Sequence, residues 1–148
     1  MKFIERGFLF MTTTRDSFPL FGYELIRDYL LPSILGKHEK DILYWAGKDL
    51  ARKFPCTDIP LIISFFKDAG WGDLTLEKET KDGFVFHLTN EPELLKIKER
   101  NFRLEAGFIA EQIQSINGFL TECYEEKKEH QEQVVFTVKM DLKEKMKA

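Results

Sequence analysis

Cysteine and histidine are scarce in this chain, and their scarcity argues against two common kinds of site. The two cysteines, Cys56 and Cys123, stand far apart among 148 residues. A small secreted scaffold held by disulfides carries more cysteines, so we expect reduced thiols in the cytoplasm. The three histidines form no His-x-x-x-His pair, a spacing that zinc sites use. We therefore predict no bound metal and no cofactor, and the long predicted helices offer no histidine to a haem.

Phosphate-binding loops are also lacking. The sequence contains neither Gly-x-x-x-x-Gly-Lys-Ser/Thr nor Gly-x-Gly-x-x-Gly, and the isolated Gly70-Trp71-Gly72 is interpreted as a turn. The formal net charge of −3 argues against a nucleic-acid partner, because such proteins usually present a basic face. No uncharged apolar run reaches the ~18 residues that indicate a membrane-spanning helix.

Aromatic residues, by contrast, are abundant, with fourteen phenylalanines in the chain. They fit a thick core, an apolar pocket or a subunit interface, and composition does not choose among these. The length favours one domain. We predict a flexible arm over residues 1–17, a single domain over 18–142 and a frayed basic tail over 143–148.

Hydrophobic periodicity predicts the elements of an α+β domain. The predicted helices cover residues 21–35, 39–54, 58–69, 92–99 and 102–117, and the predicted strands cover 73–79, 84–89, 120–126 and 133–141. Asp82-Gly83, between the first two strands, is a strong hairpin signal. In the first helix, Tyr29 is assigned to the apolar side and Arg27 to the solvent side. The expected fold places helices on one face of a twisted four-stranded antiparallel sheet.

The last predicted helix organises this core. Apolar residues recur along it at steps of four and three, and so stack on one face: Phe102, Ala106, Ile109, Ile113 and Ile116. Gly107 lies beside this stripe, and Gly47 lies within the apolar stripe of helix 39–54. A glycine weakens a helix interior by about 1 kcal/mol relative to alanine. We therefore expect close backbone contact at Gly107, with the helix near Gly47 as its partner.

Few side chains are suited to catalysis, and we expect no enzyme. Cys123 has Glu122 and Glu125 as local neighbours, which would raise the pKa of its thiol, whereas a reactive thiol needs a lowered pKa. Glu105 stands in an otherwise uncharged stretch, and a catalytic acid there would need burial and a tuning neighbour. A solvated or salt-bridged carboxylate is the simpler interpretation. Cys56, between two predicted helices, belongs to no motif.

The candidate ligand pocket or interface is formed by aromatic, glycine and acidic positions: Trp45, Gly47, Trp71, Phe102, Glu105, Gly107 and Phe108. The aromatic members are most simply core residues. A pocket needs an interior larger than its side chains fill, and surplus apolar helix faces also serve dimerisation.

Four stretches resemble the YslB family, small proteins of Gram-positive bacteria with no settled biochemical function. They are residues 23–27 (Tyr-Glu-Leu-Ile-Arg), 44–55 (Tyr-Trp-Ala-Gly-Lys-Asp-Leu-Ala-Arg-Lys-Phe-Pro), 69–72 (Ala-Gly-Trp-Gly) and 104–114 (Leu-Glu-Ala-Gly-Phe-Ile-Ala-Glu-Gln-Ile-Gln). The resemblance covers roughly residues 21–141.

That family is similar in fold to vinyl-reductase-type ligand-binding domains, haem-containing nitric-oxide sensors and subunits of the transport-protein-particle (TRAPP) complex. The resemblance implies helix-mediated dimers and, in some members, an apolar ligand cavity. Vinyl-reductase-type domains often carry Gly-Phe-x-Ala-Gly followed by paired cysteines. Here Gly107-Phe108-Ile109-Ala110 matches, but Glu111 replaces the second glycine, and no second cysteine follows Cys123. A metal site of that kind is therefore not expected.

The leading hypothesis is a non-enzymatic cytoplasmic domain that binds an apolar small molecule or a protein partner as a homodimer. The alternatives are a structural adaptor without ligand and a small enzyme that uses Glu105 or Cys123. A cavity beneath Gly107 and Phe108 would favour the ligand. A solid core with an apolar outer patch would favour the adaptor, and a cleft joining Glu105 or Cys123 to a base would favour the enzyme.

Overall fold

The computed structural model describes residues 20–89, 100–128 and 132–146. The predicted arm over 1–17 and the predicted short helix over 92–99 lie outside the described residues, so both stay predictions.

The described elements follow the predicted order. They are α1 (Leu20–Glu24), a π-helical stretch (Leu25–Leu30), α2 (Leu31–Leu35), a 3₁₀ turn (Gly36–His38), α3 (Glu39–Lys53), α4 (Ile59–Asp68), β1 (Asp73–Thr80), β2 (Gly83–Thr89), α5 (Arg103–Asn117), β3 (Phe119–Lys128) and β4 (Gln133–Lys145). The chain divides into two compact units, Met1–Glu39 and Lys40–Ala148. Compact units of this kind can belong to one domain, so the predicted single domain over 18–142 stays a prediction.

The first unit contains one helical run over residues 20–35, which we call the N-terminal helical segment. Its middle widens into a π-helix, whose backbone hydrogen bonds reach five residues back. Ile26, Tyr29 and Leu30 share the exposed side of this run, so the predicted orientation of the run is wrong. Arg27, predicted to face solvent, is buried and donates to the Tyr23 hydroxyl at 2.7 Å, whereas Tyr29, predicted to face inward, is exposed.

The second unit is built on a four-stranded antiparallel sheet in the order β1-β2-β4-β3. Strands β1 and β2 form the predicted Asp-Gly hairpin, in which Thr80 pairs with Gly83. Strand β4 lies between β2 and β3, and its Phe136 pairs with Phe86 of β2. This order leaves β1 and β3 as the edge strands.

Strand β4 is longer than predicted. Lys145 pairs with Phe119 of β3, and the Met146 N–H donates to the Gly118 carbonyl at 2.8 Å. Residues 143–145 of the predicted frayed tail therefore lie in the sheet, because backbone pairing to β3 continues past the last apolar alternation.

Helices α4 and α5 pack on one face of the sheet. The buried side chains of the two central strands alternate with more exposed ones and are Phe84, Phe86, Leu88, Val134, Phe136 and Val138. From α4, the Phe66 ring meets the Phe136 ring edge-on, with centroids 6.4 Å apart. The predicted α+β fold, with helices on one face of a four-stranded antiparallel sheet, is confirmed.

The ends of α4 and α5 follow local sequence signals. Asp58 caps α4, because its Oδ1 accepts the Leu61 N–H at 2.9 Å. Gly118 ends α5 in the left-handed region with φ of 80°. The predicted stripe of α5 is buried up to Ile113, whereas Ile116, next to the last residue of the helix, is exposed.

Candidate functional site

Helices α3 and α5 meet at their glycines, and we call this contact the helical crossing. A Cβ atom added at Gly107 would overlap the carbonyl oxygen of Tyr44, and one added at Gly47 would overlap the carbonyl oxygen of Leu104. Both obstacles are helix backbone, which cannot rotate away as a flexible side chain can. The predicted close contact of Gly107 with the helix near Gly47 is confirmed, and α3 backbone fills the space beneath Gly107.

Next to the helical crossing, rings pack on one another in an aromatic cluster made of Phe54, Phe65, Phe66, Trp71, Phe108 and Phe136. The Phe65 ring stacks on Phe108 with centroids 4.4 Å apart and planes 20° apart. Trp71 meets Phe108 edge-on at 5.4 Å. Two of the predicted site residues, Trp71 and Phe108, therefore come together as parts of a packed core.

Two more predicted site residues, Phe102 and Glu105, lie at the N-terminal end of α5. Both are buried, and Glu105 is only 1% exposed, so the interpretation of Glu105 as a solvated carboxylate is wrong. Glu105 occupies the first turn of α5, where the helix dipole stabilises a negative charge. Among the described residues, no buried side-chain nitrogen or oxygen lacks a hydrogen-bond partner, so the fold accommodates this carboxylate.

Trp45 does not join the core. It is 64% exposed on α3, and the Lys48 Nζ lies 5.4 Å from its ring centroid. The interpretation of Trp45 as a core residue is wrong, because α3 turns its Gly47 side toward α5 and Trp45 lies about half a helical turn away. The helical crossing therefore separates Trp45 from the other aromatic members of the predicted set.

A half-buried polar cluster connects α3 to the edge strand β3. The Tyr44 hydroxyl donates to Glu122 Oε2 at 2.7 Å and accepts the backbone N–H of Cys123 at 3.2 Å. The Arg103 guanidinium lies 4.1 Å from the centroid of the Tyr44 ring and donates to Glu125 Oε1 at 3.0 Å. Tyr44 thus occupies the open edge of β3, which would otherwise be available to another strand.

The Tyr44 hydroxyl and the two cysteine thiols are held in their neutral forms. Burial raises the pKa of the Cys123 thiol well above its ordinary value; Glu125 raises it further, Arg103 opposes the rise, and Glu122 adds to it. Burial also raises the pKa of the Tyr44 hydroxyl, and burial raises the pKa of Cys56 to about 11. Because the thiolate is the nucleophilic form, neither cysteine is activated at neutral pH.

Gln112 is a buried polar residue that sequence reasoning missed. Its Oε1 accepts the Cys56 N–H at 2.9 Å, and its Nε2 donates to the Phe54 carbonyl at 2.8 Å and to the Ala51 carbonyl at 3.4 Å. Gln112 therefore joins α5 to the C-terminal end of α3, where helix carbonyls lack intrahelical partners. The spacing of Gln112 indicates its burial, because it lies four residues after Phe108 on the buried side of α5.

Within residues 20–89, 100–128 and 132–146, no three His, Cys, Asp or Glu side chains are placed to hold a metal ion. In the same ranges, no helix combines the length and the apolar character needed to cross a bilayer.

A solved structure shares this architecture. A vinyl-4-reductase family protein from Methanocaldococcus jannaschii superposes with a TM-score of 0.63 at 20% sequence identity, over 84% of this chain and 82% of that chain. A trafficking protein particle complex subunit 3 from Naegleria fowleri, covalently bound to palmitic acid, gives a TM-score of 0.45 at 13% identity, over 97% of this chain and 98% of that one. The class is thus an α+β domain with a vinyl-4-reductase-like fold.

Sequence comparison identifies the family within that class. Residues 20–139 match the family described as "Protein of unknown function (DUF2507)". The uncharacterized protein YslB of Bacillus subtilis (strain 168) is 46% identical over 127 residues, which cover 84% of this chain and 86% of that protein. This chain therefore belongs to the DUF2507 family, and the predicted YslB resemblance is confirmed.

Proposed function

We propose that this chain is a non-enzymatic cytoplasmic domain that binds a protein partner and works as a homodimer. The observation that carries the proposal is the exposed apolar surface of the N-terminal helical segment. Six large apolar side chains there are between 44% and 68% exposed, namely Phe21, Leu25, Ile26, Tyr29, Leu30 and Ile34. Large exposed apolar patches on folded proteins commonly mark sites of association.

The helical crossing favours a protein partner over a small ligand beneath Gly107. Backbone of α3 fills that space, and Phe108 is fully buried under the Phe65 ring. Filled space beneath Gly107, together with an apolar outer surface, is the arrangement expected of a domain that acts through its surface.

The buried polar groups support a role without catalysis. Glu105 and Cys123 are both buried, and the raised pKa of Cys123 keeps its thiol protonated at neutral pH. Cys56 and Cys123 are both free thiols, which agrees with a reducing compartment such as the cytoplasm.

Binding of an apolar small molecule is a second candidate function. The observation that favours it is the position of Phe65, which is half-buried at the rim of the aromatic cluster and stacks on Phe108. Rotation of the Phe65 ring would open a path to the apolar interior.

Native mass spectrometry of the protein purified from its own cytoplasm tests the proposal, because one spectrum reports the subunit number and any bound mass. We expect a dimer without a retained small molecule. A monomer at every concentration would contradict the homodimer. A stoichiometric small-molecule adduct on the full chain would select the second candidate instead.

A further inference from the structure

The N-terminal helical segment carries two adjacent rows of exposed apolar side chains. Phe21, Leu25 and Tyr29 follow one another at steps of four, and Ile26, Leu30 and Ile34 do the same. Residues four apart are neighbours on a helix surface, so each row is continuous along the segment. Such a surface is a band, which suits an elongated apolar partner better than a compact ligand.

The exposed apolar area of this band approaches the area that one partner buries in a stable interface. With about 150–250 Å² of surface on each aromatic side chain and somewhat less on each aliphatic one, the exposed fractions amount to on the order of 600 Å². That is the upper end of the largest apolar patch on a typical monomer, and a standard interface buries roughly 800 Å² per partner. The six side chains alone therefore supply most of what a stable dimer needs.

Charge argues against a membrane surface as the occupant. Helices that lie on anionic bilayers carry Lys and Arg on the polar face. Residues 20–35 contain one basic side chain, Arg27, together with the acidic Glu24 and Asp28, and Arg27 is buried. This segment therefore offers no exposed cation to lipid headgroups.

Charge also narrows the kind of protein partner. Neither row contains a charged side chain, so the band selects a partner by apolar area and shape rather than by charge complementarity. The segment itself is such a surface, and a second copy presents it at the same concentration. A two-fold axis brings identical patches together, which is the arrangement of most homodimers.

We infer that the N-terminal helical segment is a self-association surface that packs against the same segment of a second copy about a two-fold axis. The inference rests on the proposed function, which includes a homodimer, and adds the surface through which that homodimer forms. The polar cluster and the helical crossing take no part in the contact.

Sedimentation equilibrium of three proteins tests the inference: the full chain, the double variant Ile26→Glu/Leu30→Glu and the control Trp45→Glu. The control places a single glutamate at an exposed aromatic residue of the second unit. We expect a dimer for the full chain and for Trp45→Glu. For the double variant we expect a dissociation constant raised at least about 100-fold, because like charges facing each other across an interface are strongly repulsive.

Each other outcome overturns the inference in a recognisable way. If the double variant stays dimeric like the full chain, the surface is wrong but the proposed homodimer stands. If only Trp45→Glu dissociates, the interface lies on α3. If the full chain is monomeric, the homodimer of the proposed function fails as well.

Two controls complete the test. Circular dichroism must show native helix content for the double variant; if it unfolds, Tyr29→Glu at the most exposed aromatic position replaces it with the same expected dissociation. Co-sedimentation with phosphatidylglycerol vesicles examines the membrane alternative. A monomeric full chain that pellets with vesicles, together with a double variant that does not, would overturn the inference in favour of a lipid surface.

Discussion

At the helical crossing, two glycines bring helix backbones into contact, and the neighbouring Phe108 and Ile109 are fully buried. In the N-terminal helical segment, side chains of the same apolar kind stay largely exposed, with Ile34 at 68%. Both regions show apolar residues at helical spacing. Periodicity therefore indicates which residues can be buried, whereas burial itself depends on whether another element packs against that face of the helix. We interpret the first region as the structural core and the second as the surface of association.

The largest expected effect compares one residue type in the two regions. Ile62 of α4 is 0% exposed, so Ile62→Ala should lower the free energy of unfolding by about 2–5 kcal/mol through lost burial and a cavity. Ile34→Ala should change it by no more than about 0.5 kcal/mol in the monomer. Urea unfolding at low protein concentration measures both values. Equal losses would show that the two regions are packed alike.

A second comparison lies within α5 and probes the closeness of the helical crossing. Gly107→Leu should lower the free energy of unfolding by about 3 kcal/mol, the upper part of the usual range for overpacking, because the new side chain meets α3 backbone. Glu111→Leu removes a 3.3 Å ion pair with the exposed Arg52, which is worth less than about 1 kcal/mol. Urea unfolding of both variants decides the matter. If Gly107→Leu left the free energy of unfolding unchanged, the face of α5 at Gly107 would not be closely packed on α3.

The hydrogen bonds of Gln112 should make the next largest contribution to the free energy of unfolding. Gln112→Met keeps the volume of the side chain but removes the acceptor of the Cys56 N–H and the amide that donates to the Phe54 carbonyl. The expected loss is about 2 kcal/mol, within the range for an unsatisfied buried group. Ser115→Ala, at an exposed position of the same helix, serves as the control and should stay within about 0.5 kcal/mol. Similar chemical denaturation midpoints for the two variants would contradict this role of Gln112.

The smallest expected effect concerns pH. Burial raises the pKa of Cys56 from 9.0 to about 11, so the folded chain holds this proton more tightly than the unfolded chain does. The resulting stabilisation is complete below pH 9 and is lost as the pH rises to about 11. Between pH 8 and pH 10.5, the full chain should therefore lose more stability than Cys56→Ala, in which every other group still titrates. Parallel losses in urea unfolding would show that Cys56 stays accessible to water.

Much of the fold could be predicted because the signals are local. The apolar stripe from Phe102 to Ile113 predicts the buried face of α5, Asp82-Gly83 predicts the first hairpin, and Gly107 with Gly47 predicts the helical crossing. Each of these signals depends on backbone geometry or on helical spacing. Each signal can be recognised from the residues of a single helix or hairpin.

The misplaced residues depend on non-local or irregular features. Trp45 was assigned to the core because aromatic residues favour burial, but the orientation of α3 is set by Gly47. Arg27 and Tyr29 lie on the opposite sides from those predicted, because periodicity groups residues on one face of a helix but does not determine which face is buried. Gln112 was missed because its three partners lie more than fifty residues away in sequence.

The melting temperature as a function of protein concentration tests most directly whether the exposed segment is a surface of association. A protein that dimerises in its folded state melts at a higher temperature as its concentration rises, by mass action. We expect the melting temperature of the full chain to rise by several degrees over a 100-fold increase in concentration, and that of Ile26→Glu/Leu30→Glu to stay constant. A melting temperature of the full chain that does not change with concentration would contradict self-association through this segment.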